Sequence, residues 1–167
     1  PAIDLMATHA MEQLNHERAW IFNTLQMYRH DRLAYLQNQV AENKCKYGYK
    51  LVRGAYMEKE RARAVKMGYQ DPIQPNKEAT DRDYNLAVEF CLENHNSVSV
   101  CIATHNENSS MLGASLLSKH GLDNGDSKVS FSQLLGMSDH ISFNLSNSGY
   151  RVSKYVPYGP VLAVIPI

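Results

Sequence analysis

Strand-like and helix-like patterns alternate along this chain from one end to the other, and that alternation restricts the fold more than any other feature. Helical spacing runs from Ile3 to Asn15, an apolar run suited to a buried strand from Ala19 to Met27, and helix again from Asp31 to Glu42. A strand over Tyr47 to Arg53 leads into a charged helix from Met57 to Lys66, then a Pro- and Gly-punctuated loop, Gly68 to Asn76. A long helix follows from about Lys77 to Asn94, and the spacing of Thr80 and Asp83 allows a capping box that would start it later. Val98 to Ala103 is a β-branched strand, Ser109 to His120 a helix, Val129 to Gln133 a strand, Ile141 to Asn147 a short helix and Val152 to Val156 a strand. Strands that alternate with helices predict a parallel sheet with helices packed outside it.

Five strands fit either a small open sheet or more than half of an eight-stranded barrel. The distribution of polar residues favours the barrel. Gln26, Arg53 with Tyr56, Thr104 with His105, Gln133 and Tyr155 stand at the C-terminal ends of the successive strands. A (βα)8 barrel builds its site at that face from several strands, whereas an open sheet gathers its ligand residues at one switch point. Neither GxGxxG nor GxxxxGK[ST] follows any strand, so the usual dinucleotide and P-loop signatures are absent.

Composition excludes several classes. The 167 residues suit one domain, and 17 Lys and Arg against 17 Asp and Glu leave no net field to hold a nucleic acid. Cys45, Cys91 and Cys101 show no CxxC spacing and read as free thiols, Cys101 as an inert one within its strand. No zinc-type spacing of histidines occurs, so no metal is expected. The N-terminus carries no secretory pattern, so secretion is not expected.

The stretch from Lys50 to Tyr56 is the strongest local signal. Lys50, Val52 and Gly54 share one side of the strand, Leu51 and Arg53 the other. Two cations on a buried strand are costly unless something anionic or polar meets them, so the strand end reads as a site. His105 ends a strand before a helix N-terminus, where it would contact a ligand or simply cap the loop. Lys77 and Thr80, one turn apart at a helix start, would receive a phosphate or serve as ordinary capping residues, and the residues alone favour capping. Glu58 to Arg63 reads as a solvated helix face. Tyr155 and Tyr158, around Pro157 and Gly159-Pro160, would wall a small pocket, while Tyr28 and Tyr84 read as packing residues.

Taken in order, these segments resemble a known family. Lys50 to Ala64 (KLVRGAYMEKERARA), Asp71 to Gln74, Ala79 to Asp81, Ala103 to Glu107, Phe131 with Gln133 to Asp139, and Gly149-Tyr150 through Lys154 to Pro160 together resemble proline dehydrogenase, over nearly the whole chain. The resemblance implies a distorted (βα)8 barrel holding FAD. The activity it implies is oxidation of L-proline to Δ1-pyrroline-5-carboxylate, with electrons passed on to a quinone. By the same resemblance Gln26 would meet the flavin's pyrimidine edge and Lys50 would place a cation beside its reacting nitrogen. Val52, Arg53, Gly54 and Ala55 would line the flavin and its phosphates, Lys77 and Thr80 the pyrophosphate and ribose, Thr104 and His105 the adenosine half. Tyr56, Leu134 and Tyr155 would form the proline pocket, with Tyr155 and Lys50 as the catalytic pair.

The resemblance places the chain as one partial domain, 1–167, matching barrel strands four to eight without the first three strands or the arginine-bearing last helix. It implies that this polypeptide alone neither retains FAD tightly nor turns over proline, and that open sheet edges promote self-association. The intact enzyme would associate with a membrane, at the inner face of the bacterial inner membrane or in the mitochondrion. Two other readings stay open: a non-catalytic α/β half-barrel binding module, and a barrel oxidoreductase acting on hydroxyproline.

Overall fold

A computed structural model of the protein describes residues 2–156. In chain order the elements are α1 (Ala2–Leu14), β1 (Asn23–Gln26), α2 (Arg32–Ala41), β2 (Tyr47–Val52), α3 (Met57–Met67), α4 (Lys77–Glu93), β3 (Val98–Ala103), α5 (Glu107–Lys119), β4 (Val129–Leu134), α6 (Asp139–Asn147) and β5 (Val152–Tyr155). The strands form one parallel sheet in the order β1-β2-β3-β4-β5. Each strand therefore pairs with its neighbour in sequence, the arrangement of a barrel wall rather than of a doubly wound sheet with a switch point.

The period-two pattern of the strands decides which face is buried. Tyr49 and Leu51 of β2, Val100 and Ile102 of β3 and Phe131 of β4 are at most 1% exposed. They pack beneath the helices, with Tyr84, Ala87, Val88, Cys91 and Leu92 of α4 as the main cover. Side chains of this size gain about 1.5–3 kcal/mol each from full burial, so this one face supplies most of the sheet's stability. Gly113 lets α5 approach, since a Cβ there would stand 2.7 Å from Ile102 Cδ1. The opposite face carries Lys50, Val52, Cys101, Ala103, Ser130 and Leu134, all only partly buried, and Thr24, which is exposed. A purely parallel sheet is normally covered on both faces, and here the second face opens onto a cleft.

Among the boundaries that differ from the sequence expectation, those of β1 and α5 move because a side chain captures backbone groups, while α4 starts where expected. The strand expected over 19–27 is only Asn23–Gln26. Buried Asn15 accepts from the Trp20 and Ile21 amides and donates to the Ile21 carbonyl, each at 2.9 Å, which holds that stretch in a turn. Helix α4 starts at Lys77 because Asn76 Oδ1 accepts the Ala79 amide at 2.8 Å. The capping box at Thr80 and Asp83 does not form, because Gln74 donates to Asp83 instead. Helix α5 likewise begins at Glu107, two residues early, capped by Asn106 on the Ser109 amide at 3.0 Å.

Candidate active-site cleft

The C-terminal ends of the strands surround a cleft of about 590 Å³. Its floor is the open sheet face, represented by Thr24, Lys50, Val52, Ala103, Ser132 and Leu134, and its rim is built by the loops that follow the strands. Of the residues singled out from sequence, Gln26, Lys50, Val52, Arg53, Gly54 and Ala55 line it. So do Tyr56, Lys77, Thr104, His105, Leu134 and Tyr155. Thr80 stands apart from it: the side chain is buried and its hydroxyl donates to the Asn76 carbonyl at 3.3 Å. Tyr158, with Pro157, Gly159 and Pro160, lies outside the described residues.

Lys50 reports the curvature of the wall. Its Nζ lies 4.4 Å from the centroid of the Tyr155 ring, although β2 and β5 are separated by β3 and β4. Three inter-strand steps of about 4.8 Å would hold them about 14 Å apart on a flat sheet. The sheet therefore curls toward the cleft and brings its inward side chains together. The ring partly desolvates the ammonium while compensating it through its π face.

Arg53 sits just beyond β2 and is held on every nitrogen. Nε donates to Asp81 Oδ1 at 2.6 Å, Nη1 to Thr104 Oγ1 at 2.7 Å and Nη2 to Ser109 Oγ at 3.0 Å. The guanidinium carbon lies 4.3 Å from the centroid of the Tyr84 ring. The Ser109 hydroxyl in turn donates to Asn85 Oδ1 at 2.7 Å, so the network continues along α4. Asp81 also accepts from Lys77 Nζ. Burial pushes the Asp81 carboxyl up, but hydrogen bonds from Lys77 and Arg53 outweigh that and hold it below the usual carboxylate range. Among the described residues the cleft lining contains the cations Lys50, Arg53 and Lys77 and no carboxylate. Such a lining suits an anionic ligand.

Gln26 carries the other strong signal. Its Oε1 is buried without a hydrogen-bond partner among the described residues, which costs about 1–3 kcal/mol unless a ligand donor reaches it. Gln133, by contrast, is spent on the scaffold. It donates to the Thr104 carbonyl at 3.2 Å and accepts from Ser142 Oγ at 2.8 Å, tying the ends of β3 and β4 to α6. At the far rim His105 Nδ1 lies 2.9 Å from Ser138 Oγ, latching the loop after β3 to the loop after β4. Burial and the nearby Lys154 charge lower the His105 pKa, which favours the neutral ring.

Gly54 closes the strand end. Its φ is +127°, and a Cβ there would stand 2.1 Å from the Tyr28 ring. Tyr28, read from sequence as plain packing, thus shapes the cleft wall behind Gly54. Tyr84, read the same way, is the platform under Arg53. The sequence reading gives neither Asp81 nor Ser109 a role in the site. The i,i+4 spacing of Lys77 and Asp81 on one helix is the sequence signal for the first. Ser109 gives none, since its partner is 56 residues away.

Comparison with known proteins agrees with the geometry. Residues 1–167 match the family model described as proline dehydrogenase. Mitochondrial proline dehydrogenase 1 of Homo sapiens is 43% identical over 173 residues, covering 99% of this chain and 29% of that protein. Hydroxyproline dehydrogenase of Xenopus laevis is 40% identical, covering 99% of this chain and 37% of that protein. The chain thus spans roughly a third of the length of these curated relatives. The crystal structure of proline utilization A from Bdellovibrio bacteriovorus, inactivated by N-propargylglycine, superposes with a TM-score of 0.83. It is 22% identical, with 96% of this chain and 17% of that chain covered, and so shares the fold.

Proposed function

Because the chain belongs to the proline dehydrogenase family over its 167 residues, we propose that it forms the flavin-side wall of an FAD-dependent enzyme that oxidises L-proline. The observation that carries this reading is the orphaned Gln26 Oε1 in a cleft lined by three cations and no carboxylate. A carbonyl oxygen without a partner calls for an N–H, which the flavin's pyrimidine edge offers. Arg53 and Lys77 supply positive charge for the cofactor's phosphates, and Gly54 leaves backbone where a side chain would intrude. Thr104, already bonded by Arg53, and His105 form the rim on the adenosine side. The residues present fit the cofactor.

When bound, FAD would supply a two-electron acceptor for hydride from the ring carbon beside the proline nitrogen, and release of the nitrogen's proton to solvent would leave Δ1-pyrroline-5-carboxylate. Lys50 provides a fixed positive charge at the base of the cleft, and such charge stabilises negative charge as it develops in the transition state. Tyr155 keeps the Lys50 ammonium in place through its ring face. Leu134, Tyr56 and Tyr155 present the apolar surface that packs a small ring and excludes water. A quinone completes the proposed reaction as electron acceptor. For a eukaryotic source, mitochondrial placement follows the naming of the human relative.

The test uses the full-length protein. It should carry flavin absorbance as purified and reduce a dye acceptor in a proline-dependent manner. Lys50→Met should lower kcat by about a hundredfold while flavin remains bound, as expected for lost electrostatic stabilisation. A protein that purifies without flavin and cannot be reconstituted with FAD would defeat the proposal. Retained FAD with no turnover would instead favour a binding module. The Xenopus relative supports a second reading, oxidation of hydroxyproline, and the ratio of kcat/KM for the two substrates separates the two.

A further inference from the structure

One carboxylate, Asp81, holds two of the three cleft cations: Oδ1 takes Arg53 Nε at 2.6 Å and Oδ2 takes Lys77 Nζ. A negative charge at an anion-binding rim opposes an anionic ligand by simple Coulomb repulsion. Its pair with Lys77 adds little to the fold's stability, because Lys77 is 69% exposed and exposed ion pairs contribute about 0–1 kcal/mol. Neither attraction of a ligand nor the exposed Lys77 pair accounts for its place.

Orientation does. A guanidinium has five donors in a fixed fork and an ammonium three. Asp81, Thr104 and Ser109 occupy three of the Arg53 donors, and Asp81 occupies one of the Lys77 donors. Two donors remain on each cation, on two groups tethered to the same carboxylate. The Tyr84 ring beneath Arg53 fixes the plane of the fork as well. A pair of cations held at one spacing matches a ligand with two linked phosphates, one for each, better than it matches a lone phosphate.

We infer that Asp81 is a positioning residue that sets the Arg53–Lys77 pair at the spacing of a diphosphate, and so selects a flavin dinucleotide over shorter flavins. This rests on the flavin reading above. The full-length protein, freed of cofactor, is titrated with FAD and with riboflavin, which lacks phosphate, and flavin fluorescence is followed. In Asp81→Asn the amide still fills the space but no longer holds two cations. Affinity for FAD should fall about tenfold, the effect of losing charge-assisted hydrogen bonds, while affinity for riboflavin stays unchanged.

Asp81→Glu, which keeps the charge on a longer arm, should fall between Asp81→Asn and the unsubstituted protein. A folding defect would weaken both flavins together and overturn the assignment. So would unchanged or tighter FAD binding in Asp81→Asn, the result if the rim worked by net charge alone. Failure of the unsubstituted protein to bind either flavin would overturn the flavin reading itself.

Discussion

Gly54 shows how narrowly a single residue is determined in this cleft. The strand must end, the backbone must turn at φ +127°, and the Tyr28 ring already occupies the space a side chain would need. Gly54→Ala should cost about 2–4 kcal/mol through strain and overpacking together, read as a lowered urea midpoint. Bound flavin should fall in parallel. The conformational break was legible in sequence, because a glycine between an apolar strand and a charged helix has few other uses. The Tyr28 contact was not, because a tyrosine in a turn carries no local mark of the backbone it will meet 26 residues on. Arg53 divides the same way. Its cost on a strand announced a site, but Thr104, Ser109 and Tyr84 became its partners only through the stacking of β2, β3, α4 and α5.

At the scale of elements, charged clusters rather than caps fasten the first helices. Arg32 on α2 bonds Asp4 on α1 at 2.9 Å, and both Arg29 and Arg32 grip Asp31. Arg29 also reaches Glu60 on α3 at 3.1 Å, and Arg61 meets Asp71 at 3.3 Å, so the charge run on α3 is in part an anchor rather than a solvated face. Burial raises the Asp4 and Asp31 carboxyls, but hydrogen bonds from Arg32, with Asn23 at Asp4 and Arg29 at Asp31, outweigh it and hold both below their ordinary value. A carboxyl whose pKa is depressed by folding stabilises fully above its unfolded value of about 3.9, and that stabilisation is lost as pH falls through the folded value. The urea midpoint should therefore drop as pH falls below about 4, and Asp31→Asn should lower it at neutral pH and flatten the acid slope. Element types followed from periodicity throughout, and the boundaries of β1 and α5 shifted where Asn15 and Asn106 took backbone groups. Side-chain capture of that kind leaves the apolar period intact and so escapes a reading based on it.

For the whole molecule, the sheet is covered on one face and open on the other, and among the described residues β1 and β5 each have one unpaired edge. Unpaired edges template pairing with other chains. Light scattering after size exclusion of the 167-residue polypeptide by itself should give a mass above one chain, and a compact monomer would show that the edges are protected. The same strand order has a bearing on how the fold is reached. Every strand docks beside the one made before it, so each pairing waits only on the next strand in the chain. During synthesis each β-strand can join a waiting edge as soon as its own helix is complete. The wall then grows in the order in which it is translated, with Gln26 set in place first, Arg53 and Thr104 next, and Tyr155 last to close over Lys50.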